Sequence, residues 1–456
     1  MSAEPKTTWD RLNEFVAALT QEKRVPGVAL GILSAGQTAT GGFGVTNVEH
    51  PLPVTGETLF QIGSITKSFT AMAVMRLVEM GALQLDIPVR TYIPEFKVAD
   101  EGAAAGATLR HLLTHTGGWE GDLFLDTGAG DDALSRYVAA MAGLEQLAPL
   151  GALYSYNNSG YSLAGRIIEV ATGKRDEAAM QELVLGPLGL RRSYLQPTDA
   201  MTHRFVVGHG VGDKGAEVLR PWPLARSAFP AGGIVCDIHD LLRYARFHLG
   251  DGTAEGGTRL LSADSMSMMH APQVKVWGDD AYGFGWFVDR LAGVRRVSHG
   301  GGTLGQSTLL MLVPERGFAV AVLTNAYQGG AIAREAVGWT MKEYLGLELP
   351  PGPKPMEATP EQLAAYAGRY ASPAREMELA LLCGRLVGQM VHKIGFPTRE
   401  SPPPPAPPPM ALGLSEPDRL LELGRPGEGG QYDILRKPDG SIGWLRASGR
   451  LHPRQP

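Results

Sequence analysis

Apolar positions recur at helical spacing near the start of the chain. Leu12, Phe15, Val16 and Leu19 share one face of a helix predicted from Trp9 to Thr20, with Thr8 as its cap. Pro26-Gly27 ends that region. Val28 to Leu33 then reads as a strand, Ser34-Ala35-Gly36 as a turn, and Thr38 to Val45 as the paired strand. A helix followed by a hairpin suggests helices lying on an antiparallel sheet. The strongest helical pattern covers 64–81, where Ile65, Phe69, Met72, Ala73, Leu77 and Met80 place apolar groups on nearly every side. Such a helix is expected to be buried, and Gly81 is placed to stop it. Helical stretches follow near 132–142 and 159–172. Later come two strands, Thr308 to Val313 and Phe318 to Thr324, around a Pro-Glu-Arg-Gly turn at 314–317.

The pattern changes near 350. Leu349-Pro350-Pro351-Gly352-Pro353-Lys354-Pro355 is a stiff connector. Beyond it lie short alternating segments: Met377 to Leu382, Arg385 to Val391, Arg419 to Leu423, Tyr432 to Arg436 and Ser441 to Arg446. Their length and spacing predict a small antiparallel β-domain. The expected division is a domain over 1–350 and a second over 356–456. Pro402 to Pro405 and Pro407 to Pro409 interrupt the second as a polyproline insert. It reads as an exposed loop, the sharper alternative being a docking site for a proline-recognition module.

Composition narrows the function classes. The 456 residues are 44% hydrophobic and 20% charged, ordinary values for a chain with a normal core. A net charge of −5 argues against nucleic acid or an anionic membrane as partner. Cys236 and Cys383 are far apart, form no CxxC site and are expected as free thiols. No apolar signal segment opens the chain, and the most apolar stretch, Ala71 to Val78, is interrupted by Arg76. A cytoplasmic location is therefore expected.

Three elements carry candidate chemistry. In Gly63-Ser64-Ile65-Thr66-Lys67-Ser68, Ser64 and Lys67 are three apart, so on a helix their side chains point the same way. A serine hydroxyl needs a group to take its proton, and a lysine in a dry site loses charge readily. The ordinary alternative is a serine cap with a snorkelling lysine, but an apolar helix is a costly place for an amine without a task. In Tyr154-Ser155-Tyr156-Asn157-Asn158, a tyrosine and an asparagine two apart can offer a phenol and an amide to one spot. The plain alternative is a polar loop with aromatic packing. In Ser298-His299-Gly300-Gly301-Gly302, bare backbone could line a substrate or an oxyanion; a glycine-rich turn is the plain reading. No phosphate-loop pattern is present.

Taken together and in this order, SxxK, YxN and HxG resemble the serine hydrolases that include class C β-lactamases, D-aminopeptidases, DD-peptidases and bacterial esterases. Phe60-Gln61-Ile62-Gly63, Leu112-Leu113-Thr114-His115-Thr116-Gly117-Gly118, Ala231-Gly232-Gly233 and Tyr282-Gly283-Phe284-Gly285-Trp286 add to the resemblance, which runs from about 9 to 345. It implies an α/β (α+β) fold of the β-lactamase/transpeptidase type, an antiparallel sheet flanked by helices with a helical subdomain. The C-terminal domain resembles the lipocalin-like barrel some relatives carry, partly on Leu363-Ala364-Ala365-Tyr366-Ala367-Gly368-Arg369-Tyr370.

By the same resemblance Ser64 is the nucleophile, Lys67 its helper base and Tyr156, rather than Tyr154, the catalytic tyrosine. Asn158 would bind the substrate amide and Lys67. His299, Gly300, Gly301 and Gly302 would line the substrate, with the N–H groups of Ser64 and Gly302 forming the oxyanion hole. The implied reaction is cleavage of a small ester, an amide or a D-amino-acid peptide through an acyl-Ser64 intermediate, with no cofactor and no metal. A homo-oligomer formed through the C-terminal domain is a further expectation. His299 departs from the lysine that β-lactamases carry, and a neutral imidazole attracts a substrate carboxylate poorly. β-Lactamase or DD-carboxypeptidase activity is therefore the alternative, and a non-catalytic penicillin or peptide sensor is the rival from another class. His111 and His115, four apart, lack a third ligand for zinc. Trp119, Trp222 and Trp286 are candidates for the cleft wall or for packing.

Overall fold

The computed structural model describes residues 6–424 and 430–456. By contacts the chain forms two compact units. One comprises Met1–Leu85, Thr127–Leu134 and Tyr161–Leu349; the other comprises Asp86–Asp126, Ser135–Gly160 and Pro350–Pro456. The segments 86–126 and 135–160 thus group with the C-terminal strands. Among the described residues no helix is long and apolar enough to cross a membrane.

The first unit opens with α1 (Thr8–Glu22). Its cap is Thr7 rather than Thr8. The Thr7 hydroxyl accepts from the Asp10 N–H at 3.1 Å while the Asp10 carboxylate accepts from the Thr7 N–H. This reciprocal box satisfies two helix-end donors at once. Next come β1 (Gly27–Ser34) and β2 (Gln37–Gly44), joined through Ala35 and Gly36, both at positive φ as a tight hairpin requires. A tight turn over Gly63–Ile65 leads into α2 (Thr66–Glu79), of which Thr66 to Met75 and Leu77 are buried. Met80 departs from the expected pattern: it is 66% exposed, because it caps the helix rather than lying within it. Gly81 at φ +75° ends the turn as anticipated.

Two long helices follow, α3 (Asn158–Thr172) and α4 (Ile238–Leu249). The sheet is completed by β3 (Val274–Trp277), β4 (Asp280–Tyr282), β5 (Phe287–Leu291), β6 (Val294–Thr303), β7 (Gln306–Val313) and β8 (Phe318–Thr324), before α5 (Gly329–Leu345). The strands lie in the order β2-β1-β8-β7-β6-β5-β4-β3, antiparallel throughout. One face packs on α1 and α5, where Leu12, Val16, Val28, Val320, Val322, Ile332 and Met341 share a buried cluster. On the other face Ile238 and Leu242 of α4 lie beside Gly31. β1 and β8 are buried almost end to end because both of their faces are covered.

In the second unit eight strands form an up-and-down meander: β9 (Gly368–Ala371), β10 (Arg375–Leu382), β11 (Arg385–His392), β12 (Met410–Glu416), β13 (Arg419–Glu422), β14 (Gln431–Arg436), β15 (Ile442–Ala447) and β16 (Arg450–Pro453). A bridge between Tyr370 and Arg454 brings the first strand to the last, nearly closing the barrel. Closure hides edges that would otherwise invite pairing with another chain. Tyr370, Met377, Leu379, Leu386, Leu420, Ile434 and Leu445 fill the interior. Residues 402–409 are exposed and without regular structure, as expected of a loop. Cys236 is buried and Cys383 exposed, both as free thiols.

Candidate active site

Ser64 and Lys67 lie in the first unit. The tight turn puts Ser64 at the mouth of α2, and Lys67 follows one helical turn later. Lys67 is wholly buried, and its Nζ donates to Ser64 Oγ at 3.1 Å and to the Ala231 carbonyl at 2.7 Å. The Tyr161 ring lies beneath, 5.6 Å from Nζ. A buried amine is tolerated only with such acceptors, and here one acceptor is the Ser64 hydroxyl. Ala231 supplies its carbonyl from the Ala231-Gly232-Gly233 stretch, whose partnership with Lys67 no spacing rule reveals.

The glycine strand lies beside this turn. Gly63 has φ +52°, and a Cβ there would come within 2.7 Å of the Gly302 nitrogen. At Gly301 a Cβ would sit 1.8 Å from the Ile62 carbonyl oxygen and 2.4 Å from Thr308 Oγ1. Only glycine permits that approach. Thr308 itself donates to the same Ile62 carbonyl at 2.9 Å, tying β7 to the turn that carries Ser64. The β5–β6 ladder ends at the Phe287–Ser298 pair, whereas β6–β7 pairing continues to Thr303. From His299 on, alternate backbone groups of β6 therefore face away from its β7 ladder.

His299 is 1% exposed. Its Nδ1 lies 2.6 Å from the Gly300 carbonyl and its Nε2 lies 3.1 Å from the Tyr282 hydroxyl. A carbonyl can only accept, so Nδ1 carries the proton and Nε2 accepts from Tyr282. Burial, then the charge of Lys67, pushes the imidazole down to about 3. It is neutral throughout the physiological range.

Tyr156 and Asn158 belong to the second unit. Tyr154 and Tyr156 are both buried, and both rings face His115, that of Tyr156 at 4.3 Å between centroids. The two neighbouring asparagines divide their tasks. Asn157 Oδ1 accepts from Ser159 Oγ at 2.8 Å and from the Gly160 N–H at 2.7 Å, capping α3. Asn158 Nδ2 instead donates to Asp122 Oδ1 at 2.7 Å, which orients its amide. Asp122 is itself held by Arg450, with Nε to Oδ2 at 3.1 Å. Burial alone would raise the Asp122 carboxyl, but the charges of Arg450 and Arg375 more than offset it and hold it below the usual range. Neither Asp122 nor Arg450 belongs to a motif that marks it in the sequence.

Other candidates resolve as structural. His111 Nδ1 pairs with the Thr108 cap of helix Leu109–Leu113, and His115 Nδ1 accepts from the Asn157 N–H. No group of side chains able to hold a metal occurs among the described residues. Trp119 and Trp286 are fully buried, the former donating to Ser159 Oγ at 3.1 Å, so both belong to the packing rather than to a cleft wall. Trp222 donates to the Val206 carbonyl at 2.7 Å.

Comparison with known proteins accords with this geometry. The Beta-lactamase family model matches residues 12–345. Penicillin-binding protein 4 of Amycolatopsis lactamdurans is 37% identical over 362 residues, covering 77% of this chain and 95% of the relative. Unguisins hydrolase ungD of Aspergillus violaceofuscus is 26% identical over 411 residues, 76% of this chain and 72% of the relative. Among solved structures, SurE with D-Leu superposes with a TM-score of 0.77 at 28% identity, over 98% of this chain and 99% of that one. The octameric penicillin-binding protein homologue from Pyrococcus abyssi gives 0.66 at 25% identity, over 98% and 100%. With the family model spanning most of its length, and with SxxK, YxN and HxG all inside that span, the chain belongs to the Beta-lactamase family of hydrolases.

Proposed function

We propose that this chain is a serine hydrolase that cleaves a small ester, or the amide of a D-amino-acid derivative or peptide, through an acyl-Ser64 intermediate. The observation that carries the reading is the buried Lys67 amine, 3.1 Å from Ser64 Oγ. Ser64 Oγ attacks the substrate carbonyl carbon, and its proton passes through Lys67 and Tyr156 to the leaving oxygen or nitrogen. The N–H groups of Ser64 and Gly302 hold the oxyanion, and the Asn158 amide holds the substrate. Water then attacks the ester, the acid departs, and the same groups return a proton to Ser64.

The substrate class rests on two supports. His299, neutral and already bonded to Tyr282 and Gly300, offers no cation to the carboxylate of a penicillin. Relatives and neighbours include a hydrolase of unguisins and a structure holding D-Leu. An octameric neighbour supports a homo-oligomeric state here as well.

Turnover of a p-nitrophenyl ester, a D-alanyl anilide and a chromogenic cephalosporin, measured in parallel, tests the assignment. Sustained release from the ester or anilide with little from the cephalosporin is expected. Fast cephalosporin turnover would make the enzyme a β-lactamase. A single stoichiometric burst with every substrate would make it a penicillin or peptide sensor.

A further inference from the structure

The last hairpin of the barrel does more than close it. β15 and β16 turn through Ser448 and Gly449, at φ +48° and +77°, the geometry of a two-residue hairpin. The turn is bonded into the segment that carries the second motif. The Tyr156 N–H donates to the Gly449 carbonyl at 2.8 Å, and the Leu451 N–H donates to Ser155 Oγ at 3.2 Å. Arg450 then places its guanidinium 4.5 Å from the centre of the Tyr156 ring. Its Nε and Nη2 meet the two oxygens of Asp122 at 3.1 and 3.3 Å, and its Nη1 donates to the Ser448 carbonyl at 2.9 Å. Asp122, 1% exposed at its side chain, passes the contact to Asn158.

One cation therefore touches the ring of Tyr156 directly and the amide of Asn158 through one carboxylate. A planar fork can do both at once: its face stacks on the phenol while its edge grips the carboxylate. We infer that Arg450 is a positioning residue for the reaction, through which the C-terminal barrel sets the placement of Tyr156 and Asn158. The inference rests on the serine-hydrolase reading above. It makes the barrel part of the catalytic apparatus rather than an appendage. Arg375, 3.6 Å from Asp122 Oδ2, remains to neutralise the carboxylate when Arg450 is replaced, so the fold is expected to survive the substitution.

The test compares Arg450→Gln and Arg450→Lys with the parent, on the p-nitrophenyl ester and the D-alanyl anilide, with Ser64→Ala as control and thermal melting of each variant. Arg450→Gln should lower kcat by roughly 10- to 100-fold, at the lower end of what misplaced acid/base groups lose, with KM changed less than about threefold. Arg450→Lys should recover part of kcat, because it keeps the charge but loses the fork. A combined Asp122→Asn/Arg450→Gln variant should lose less than the product of the two single losses, since both act on one arrangement. A raised KM with kcat intact would assign Arg450 to substrate binding and overturn the inference. So would a fall in kcat that follows the melting temperature and is not relieved by lysine. Ser64-dependent turnover that Arg450→Gln leaves unchanged would sink this inference alone, whereas turnover that survives Ser64→Ala would remove the hydrolase reading and this inference with it.

Discussion

Lys67→Met is expected to lower kcat/KM for the ester by roughly 10²- to 10⁴-fold, the range for a lost acid/base group, while the protein stays folded. Methionine matches the length of the lysine stem and suits the wholly buried site on α2. The substitution removes a buried amine, which favours stability, but leaves the Ala231 carbonyl without the donor it has at 2.7 Å, which costs about 1–3 kcal/mol. The two effects oppose each other, so the melting temperature should move by only a few degrees. Steady-state kinetics and thermal melts on the same preparation check this. A variant with near-parental kcat/KM would show that Lys67 is there for packing.

The second large effect belongs to backbone. Gly301→Ala would place a methyl group 1.8 Å from the Ile62 carbonyl and 2.4 Å from Thr308 Oγ1, so β6 must retreat from the turn that carries Ser64. Overpacking of this kind costs about 1–3 kcal/mol or more. The proposed oxyanion donor at Gly302 moves with the strand, and loss of one such donor costs roughly 10²- to 10³-fold in kcat. Gly300→Ala is the control: the nearest atom to its Cβ is the Thr308 carbonyl oxygen at 3.6 Å, an ordinary contact. Its stability should stay within about 1 kcal/mol of the parent. Equal losses in the two variants, measured by denaturant melts and kcat, would show that the close approach at Gly301 has no special role.

These residues differ in how far the chain alone reveals them. Ser64 and Lys67 were legible because their spacing is local and their helix is apolar on almost every side. Gly301 was legible as part of a glycine run, though not why it must lack a side chain; that depends on Ile62 and Thr308, brought close only by the fold. The neutrality of His299 follows from burial and from Lys67, neither of which its neighbours in sequence disclose. Arg450 lies farthest from view. It sits 328 residues from Asp122 in a hairpin of ordinary surface composition, and its meaning appears only when that hairpin meets the Tyr154–Asn158 segment. At the level of elements, α1 and the hairpin after it were readable from periodicity, while the cap at Thr7 depended on a box with Asp10. The alternating pattern does not mark β9, β12 or β16, and β12 directly follows the polyproline insert.

The proposed reaction requires a covalent acyl intermediate on Ser64, which the intact mass of the protein, quenched within the first turnovers of a p-nitrophenyl ester, reads without a kinetic model. A rise equal to the acyl group, mapped by peptide fragmentation to Ser64 and absent from a folded Ser64→Ala variant, is the predicted result. Full turnover by Ser64→Ala, or an adduct mapped to another residue, would contradict it.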